Sequence, residues 1–95
     1  MAEYEKSYRA TLEIYRLSEK FPERERYGMS DQIRRAAMSI PLNIAEGYGK
    51  RESAAEFKRY LRMAMGSANE VQVLLDFARE NALRVDTSSK VREGT

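Results

Sequence analysis

Five basic side chains stand close together in the middle of the chain, where they could neutralise the phosphates of a nucleic acid. With them, residues 31–62 carry seven basic and four acidic side chains, a net of +3, although the whole chain carries only +2. Phosphate contacts of this kind give an affinity that falls steeply as salt rises. Tyr48, beside the cluster, has a ring on which an unpaired base could stack. The five candidate nucleic-acid-binding residues are Lys50, Arg51, Lys58, Arg59 and Arg62.

The same residues fit a second interpretation, in which they form a solvated helix face and pair locally with Glu52 or Glu56. A net charge of +2 is small for a protein dedicated to RNA binding. An assembly of several copies would multiply the cluster by the number of subunits. RNA and a protein partner therefore both stay open as binding partners.

A second group of unusual residues interrupts an apolar helical stretch between residues 35 and 47. Each type is costly there, because proline removes a backbone donor, asparagine competes for helix hydrogen bonds, and a late glutamate opposes the helix dipole. Such costs indicate either a polar binding site or a buried network that fixes the register of the helices. The members of this polar motif are Arg35, Ser39, Pro41, Asn43, Glu46 and Gly47.

Within the polar motif, Pro41 is expected to kink its helix, because the amide that would bond to the carbonyl four residues earlier is missing. We expect the Ser39 hydroxyl to satisfy part of the freed groups. Of two adjacent arginines, we predict that Arg35 rather than Arg34 faces the core or an interface. Glu46 lies about 16 Å from Arg35 along the helix, so its partner has to come from the third helix or from another copy.

The composition argues against catalysis. The chain contains no cysteine and no histidine, which removes the usual zinc ligands and the commonest general base at neutral pH. Glu46 and Glu70 could be considered as paired carboxylates, but neither metal-ligand spacing nor a glycine-rich phosphate loop accompanies them. The sequence therefore predicts a non-enzymatic protein with no catalytic residues, no metal and no cofactor.

Three helical segments have to position these residues. Apolar periodicity predicts helices over about 2–20, 30–47 and 53–83. We expect an all-α, antiparallel up-and-down bundle in a single domain, residues 1–84. The last stretch, 85–95, has no periodicity and is predicted to be a disordered tail.

The ends of these helices carry recognisable signals. Ser30 is the expected N-cap of the second helix. Gly47 and Gly49 are expected to end that helix in left-handed conformations. The third helix is expected to begin with a capping box formed by Ser53 and Glu56.

The apolar side chains exceed what three helices can cover among themselves. The first helix has two adjacent stripes, which are Ala10, Ile14, Leu17 and Phe21, and Tyr4, Tyr8, Leu12 and Tyr15. The third has a heptad seam of Phe57, Leu61, Ala64, Ala68, Val71, Leu75, Ala78 and Ala82. Gly66-Ser67 in the middle of that helix indicates close approach of a neighbouring helix. Either a fourth helix or other copies of the chain are needed to cover the rest.

The sequence also bears on localisation. No apolar run approaches the ~20 residues that span a bilayer. The acidic start, Met1 to Lys6, lacks the basic and apolar regions of a signal peptide. We therefore expect a cytoplasmic protein that does not associate with membranes.

Three stretches of the sequence together resemble one protein family closely, over residues 4 to about 83. The stretches are Phe21-Pro22-x-x-Glu25, Gln32-x-x-Arg35-Ala36-Ala37-x-Ser39-Ile40-Pro41-x-Asn43-Ile44-Ala45-Glu46-Gly47, and Phe57-x-x-Tyr60-Leu61-x-x-Ala64-x-Gly66-Ser67-x-x-Glu70. They are similar to the four-helix-bundle proteins encoded by intervening sequences inside bacterial 23S ribosomal RNA genes. A more distant similarity is to the accessory protein of diversity-generating retroelements, a basic ring that engages a reverse transcriptase and nucleic acid.

The resemblance implies a fold more directly than an activity. It implies an up-and-down four-helix bundle that assembles into a ring-shaped homo-oligomer, such as a pentamer. Family members continue into a fourth, acidic and leucine-rich helix, whereas this sequence stops at Thr95, so self-association is expected to cover the open face. The leading hypothesis is association with RNA or a ribonucleoprotein; the alternative is an oligomeric scaffold that binds another protein.

Overall fold

The computed structural model describes residues 1–22 and 26–94, with the side chains of 1–22 and 28–81, and this part of the chain is all-helical. Three α-helices follow one another: α1 spans Ala2–Ser18, α2 spans Asp31–Gly49 and α3 spans Ala54–Gly94. A five-residue π-helix, Arg26–Ser30, leads directly into α2. None of the helices is long and apolar enough, over the described residues, to cross a membrane.

The helices pack as an antiparallel bundle with α2 in the centre. α2 makes the two extensive helix–helix interfaces, one with α1 and one with α3. Thr11 lies opposite Ala37 and Ser18 opposite Ser30, so residue numbers rise on α1 as they fall on α2. The α2–α3 pair is antiparallel in the same way. The predicted all-α antiparallel architecture is therefore confirmed.

The core lies where α2 meets both neighbours. Ile33 and Ala37 on α2 are completely buried. They belong to a cluster with Ala36 and with Val71 on α3. Half-buried apolar residues from all three helices surround this cluster, namely Ile14, Phe21, Ile40, Leu74 and Leu75. Burial of this apolar area is the main stabilising term, at about 25 cal/mol per Å².

The buried side of α1 is more polar than the sequence suggests. Ser7, Thr11, Ile14, Tyr15 and Ser18 form the side that faces inward, whether buried or half-buried. Of the predicted stripe Tyr4, Tyr8, Leu12 and Tyr15, the first three are exposed and only Tyr15 is half-buried; Ala10 and Leu17 from the other stripe are exposed as well. Small hydroxyl side chains let the backbones of α1 and α2 approach closely, which large aromatic rings would prevent.

The predicted heptad seam on α3 is right in most positions and differs at one position in the middle. Ala64 and Val71 are buried and Leu75 is half-buried, but Ala68 is exposed and Ser67 takes its place against α2. The other heptad positions from Phe57 to Ala78 are all buried or half-buried, so Ala68 is a single exception, and Ala82 lies outside the residues whose side chains the structure describes.

Two of the predicted helix-end signals are wrong. Ser30 has helical backbone angles and makes no capping hydrogen bond, because the π-helix precedes it. No glycine among the described residues has a positive φ, so Gly47 and Gly49 do not form left-handed caps. The capping prediction for α3 is confirmed in one half. The Ser53 hydroxyl accepts a hydrogen bond from the Glu56 amide at 3.2 Å, but the Glu56 carboxylate bonds to Arg59 instead of returning to Ser53.

The last helix also differs from its predicted bounds. α3 extends to Gly94 instead of ending near residue 83. Residues 85–94, which the sequence predicted as a disordered tail, thus belong to α3, and Thr95 lies outside the described residues.

Candidate functional site

The turn between α2 and α3 gathers the five basic residues at one end of the bundle. Lys50 caps the C-terminal end of α2, Arg51 lies in the turn, and the other three lie in the first turns of α3. All five side chains are exposed. We call this set, Lys50, Arg51, Lys58, Arg59 and Arg62, the basic surface. Of the five, Lys50 and Arg59 are brought together on one ring, that of Tyr60, and nucleic-acid binding by the set stays a prediction.

Two tyrosines hold part of the basic surface in place. The Arg51 guanidinium carbon lies 4.3 Å from the centre of the Tyr48 ring, and its Nη1 donates a hydrogen bond to the Tyr48 carbonyl at 2.9 Å. Two cations lie over the Tyr60 ring: the Arg59 guanidinium carbon is 4.6 Å and the Lys50 ammonium nitrogen 5.4 Å from the ring centre. Such cation–π contacts are each worth about 0.5–1 kcal/mol at exposed sites. They restrict where these charges can point.

One of the five charges is neutralised locally. Arg59 Nε lies 2.8 Å from Glu56 Oε2. The hydrogen bond from Arg59 lowers the pKa of the Glu56 carboxyl below its ordinary value, and the same contact raises the pKa of Arg59. The alternative of local pairing is therefore realised for Arg59. Lys58 and Arg62, one turn apart on the outward side of α3, make no ion pair with any described residue.

The polar motif divides into an inward and an outward set. Ser39, Pro41, Asn43 and Gly47 are buried or half-buried, whereas Arg35 and Glu46 are exposed. The prediction that Arg35 is the inward arginine is wrong within this chain. Arg34 packs inward instead: its Nε donates to Ser18 Oγ at 2.7 Å and its guanidinium lies over the ring of Tyr15.

Pro41 leaves the Ala37 carbonyl without its usual amide donor, and a residue of α1 that the sequence did not reveal contacts this carbonyl. In a regular helix the amide of residue 41 would bond to the Ala37 carbonyl, and proline lacks that amide. The Thr11 hydroxyl lies 3.0 Å from this carbonyl oxygen. Thr11 is only 3% exposed, so the donor for the freed acceptor comes from another helix inside the core; the single hydroxyl proton is shared with the Ser7 carbonyl, 2.8 Å away. Our expectation that Ser39 would do this is wrong, because its hydroxyl donates to the Ala36 carbonyl and contacts Ser67.

The other inward members fix how α2 meets α3. Ser39 and Ser67 meet through their hydroxyls across this interface. Asn43 Nδ2 donates to the Ser39 carbonyl at 2.8 Å, so its amide stays within α2. These contacts support the reading of the inward set as a network that sets helix register.

Among the described glycines, Gly47 is the one at which α2 and α3 are in tight contact. A Cβ at Gly47 would lie 3.0 Å from the Tyr60 Cβ and 3.4 Å from the Phe57 carbonyl oxygen. A Cβ at Gly66 would meet nothing within 4 Å. The sequence predicted a close approach at Gly66-Ser67; Ser67 does meet Ser39 of α2, whereas the tight contact of a glycine is at Gly47 and not at Gly66.

The outward residues of the polar motif line open space. Arg35 borders a groove of about 530 Å³ between α2 and α3, together with Asp31, Gln32, Ser39 and Glu70. Glu46 makes no hydrogen bond to another described side chain, so the partner expected for it on α3 is absent from this part of the chain. Glu46 and Glu70 are not brought together as a carboxylate pair, because only Glu70 borders the groove.

A family model described as 23S rRNA-intervening sequence protein matches residues 1–93 of the chain. The chain belongs to this family. The match includes all of α1 and α2 and nearly all of α3, so the basic surface and the polar motif both lie within it. The comparison with curated proteins finds no match.

In this 23S rRNA-intervening sequence protein, sequence reasoning missed three residues that shape the site. Thr11, Arg34 and Tyr60 each contact a residue that the sequence singled out. One signal was available for Thr11, a β-branched polar residue inside a helical apolar pattern. Nothing local marks the other two, because their roles depend on which helix lies opposite.

Proposed function

We propose that this member of the 23S rRNA-intervening sequence protein family associates with RNA through its basic surface and has no catalytic activity. The observation that carries the proposal is a set of five exposed cations at the α2–α3 turn and in the first turns of α3, three of which lie on the rings of two tyrosines. Clustered cations attract phosphates, and nearby aromatic rings suit unpaired bases. The absence of cysteine and histidine from the sequence supports a binding role rather than catalysis.

The charges of the basic surface are not equivalent. Lys58 and Arg62 stand one turn apart on the outward side of α3, where two phosphates can reach them. Arg59 is partly neutralised by Glu56, so it contributes less to phosphate binding. Lys50 and Arg51 lie in the turn on the same end of the molecule. We therefore assign most of the electrostatic affinity to Lys50, Arg51, Lys58 and Arg62.

The test is a charge-removal variant in RNA titrations. In Lys50→Gln/Lys58→Gln/Arg62→Gln, three cations are lost and no described ion pair is broken. We expect at least tenfold weaker binding to labelled fragments of 23S ribosomal RNA, and a salt dependence whose slope falls by about 2 for single-stranded regions. Fluorescence anisotropy at two salt concentrations measures both quantities.

A matched control removes the same charge elsewhere. Lys6→Gln/Lys20→Gln/Arg79→Gln changes three exposed cations that lie outside the basic surface. It should retain most of the affinity and slope of the unaltered protein. Equal losses in both triple variants would mean that net charge, rather than the basic surface, controls binding, and would contradict the proposal.

A second candidate function, self-association as a scaffold, is favoured by the exposed face of α1. We propose that another copy of the chain covers this face. Tyr4, Tyr8 and Leu12 are each more than a third exposed, and they line one surface groove. Two acidic and two basic side chains flank them, namely Glu5, Arg9, Glu13 and Arg16. An antiparallel copy of the same helix would bring opposite charges together, which makes the face self-complementary.

Self-association is tested by molar mass in solution. Leu12→Glu places a charge in the middle of the α1 face, where burial against another copy would be costly. We expect light scattering to show a multiple of the chain mass, 11.0 kDa, for the unaltered protein and a shift to the monomer for Leu12→Glu. Val73→Glu, at an exposed position on α3, should leave the mass unchanged. A monomeric unaltered protein would contradict both the scaffold and the ring expected from the resemblance.

A further inference from the structure

Resting on the proposed RNA association, we propose that the basic surface selects single-stranded RNA and stacks one unpaired base on Arg51, whose guanidinium lies on the Tyr48 ring. Two residues that are three apart in the turn thus form one platform. Its inner layer is the tyrosine ring and its outer layer is the arginine. The ligand class is an RNA strand with at least one base outside a helix.

The geometry of the platform is defined by two contacts. The guanidinium carbon stands 4.3 Å from the ring centre, and one terminal nitrogen is anchored on the Tyr48 carbonyl at 2.9 Å. Because a hydrogen bond and the ring contact already hold this arginine, it loses less conformational entropy on binding a ligand than a freely moving arginine would. Tyr48 is 45% exposed, so the platform lies at the surface. It is preorganised before RNA arrives.

The chemistry of the guanidinium defines what can sit on it. A guanidinium plane accepts a nucleobase by stacking, as aromatic side chains do. Arg51 has five N–H donors, and the hydrogen bond to Tyr48 uses one nitrogen. The remaining donors point around the edge of the plane, where an adjacent phosphate can accept them. One residue can therefore contact a base and the backbone next to it.

The same chemistry disfavours duplex RNA. A paired base has neighbours on both faces, and extruding it costs a few kcal/mol. In contrast, a base in a loop or single strand offers a free face. The platform should thus add to affinity only for unpaired RNA, while the charges of Lys58 and Arg62 act on phosphates of either form.

Tyr60 does not form a second platform of this kind. Its ring is half-buried and already carries both Arg59 and Lys50. The Arg59 guanidinium is also tied to Glu56 and to the Tyr60 hydroxyl. These contacts use the donors and the ring face that a base would need. The inference therefore concerns Arg51 and Tyr48 alone.

The experiment compares one RNA strand in two forms. A short strand with a single 2-aminopurine is titrated alone and after annealing to its complement. For the unaltered protein we expect about tenfold tighter binding to the single strand, since one stacked base is worth about 1–3 kcal/mol. Quenching of the 2-aminopurine fluorescence reports the stacking directly.

Conservative variants separate stacking from charge. Arg51→Lys keeps the charge but loses the planar group, and should lose most of the preference and the quenching while duplex affinity stays the same. Tyr48→Leu should behave alike, and Tyr48→Phe should retain the ring and the preference.

If neither form of RNA binds the unaltered protein, the proposed function itself is overturned. If both forms bind equally and Arg51→Lys changes nothing, RNA association stands and the stacking inference is overturned.

Discussion

Replacing Thr11 with valine is expected to lower the free energy of unfolding by about 1–3 kcal/mol, because it leaves a buried carbonyl without a donor. The carbonyl is that of Ala37, which is completely buried and which Pro41 deprives of its usual amide partner. Valine has nearly the shape of threonine, so the loss reflects the hydroxyl rather than a cavity. Urea denaturation followed by circular dichroism measures the change.

A double-mutant cycle tests the cause. Pro41→Ala restores an amide that can bond to the Ala37 carbonyl, so Thr11→Val should cost about 1 kcal/mol less in that background. Thr11→Ser keeps the hydroxyl and should cost less than Thr11→Val. The hydroxyl also lies 2.8 Å from the Ser7 carbonyl, but that oxygen accepts an amide within α1. An equal cost of Thr11→Val in both backgrounds would show that the Pro41 acceptor is not what the hydroxyl satisfies.

Replacing Gly47 with valine is expected to destabilise the protein by about 1–3 kcal/mol through overpacking between α2 and α3. The first added atom would lie 3.0 Å from the Tyr60 Cβ and 3.4 Å from the Phe57 carbonyl oxygen. Neither of these atoms can rotate away, since one is fixed to the backbone and the other belongs to it. The helices must therefore separate, and thermal unfolding should report a lower midpoint.

The same substitution at Gly66 provides the matched control. Gly66 also lies within a helix, and an added Cβ there meets nothing within 4 Å. Gly66→Val should stay within about 0.5 kcal/mol of the unaltered protein, because the helix propensities of glycine and valine differ little. Similar losses at both positions would mean that helix propensity, and not the close approach at Gly47, decides the outcome.

The contact at Gly47 also links the fold to the basic surface. Tyr60 packs on Gly47 and at the same time carries Arg59 and Lys50 on its ring. Gly47 of the polar motif thus packs against Tyr60, whose ring in turn supports two residues of the basic surface. If Gly47→Val displaces Tyr60, those two cations should lose their common support, and RNA binding should weaken along with stability.

Several parts of the fold could be predicted because their causes are local. The Ser53 hydroxyl and the Glu56 amide are three residues apart, and their hydrogen bond needs nothing else. The missing amide of Pro41 and the clustering of the five cations are likewise properties of short stretches. The family could also be recognised from the sequence, and the family-model match over residues 1–93 confirms it.

Two of the errors arose because the sequence does not show which position of a helix lies opposite its neighbour. Adjacent positions on a helix are about 100° apart, so Arg34 and Arg35 point in different directions, and only Arg34 meets α1. Gly47 and Gly66 are both glycines within helices, and only Gly47 has a side chain opposite it. No pattern inside one helix distinguishes the members of such pairs.

The sequence by itself determined that this protein is helical, approximately where two of its helices begin and end, and which residues carry charge. Those properties follow from hydrogen bonds and periodicities that span a few residues. Only the tertiary structure decided that α1 presents Thr11 and Ser18, rather than Tyr8 and Leu12, to α2. An apolar stripe indicates that its burial is favourable but does not show which surface will cover it. A short hydroxyl side chain that contacts an unpaired carbonyl lets two helices pack more closely than a large aromatic ring does.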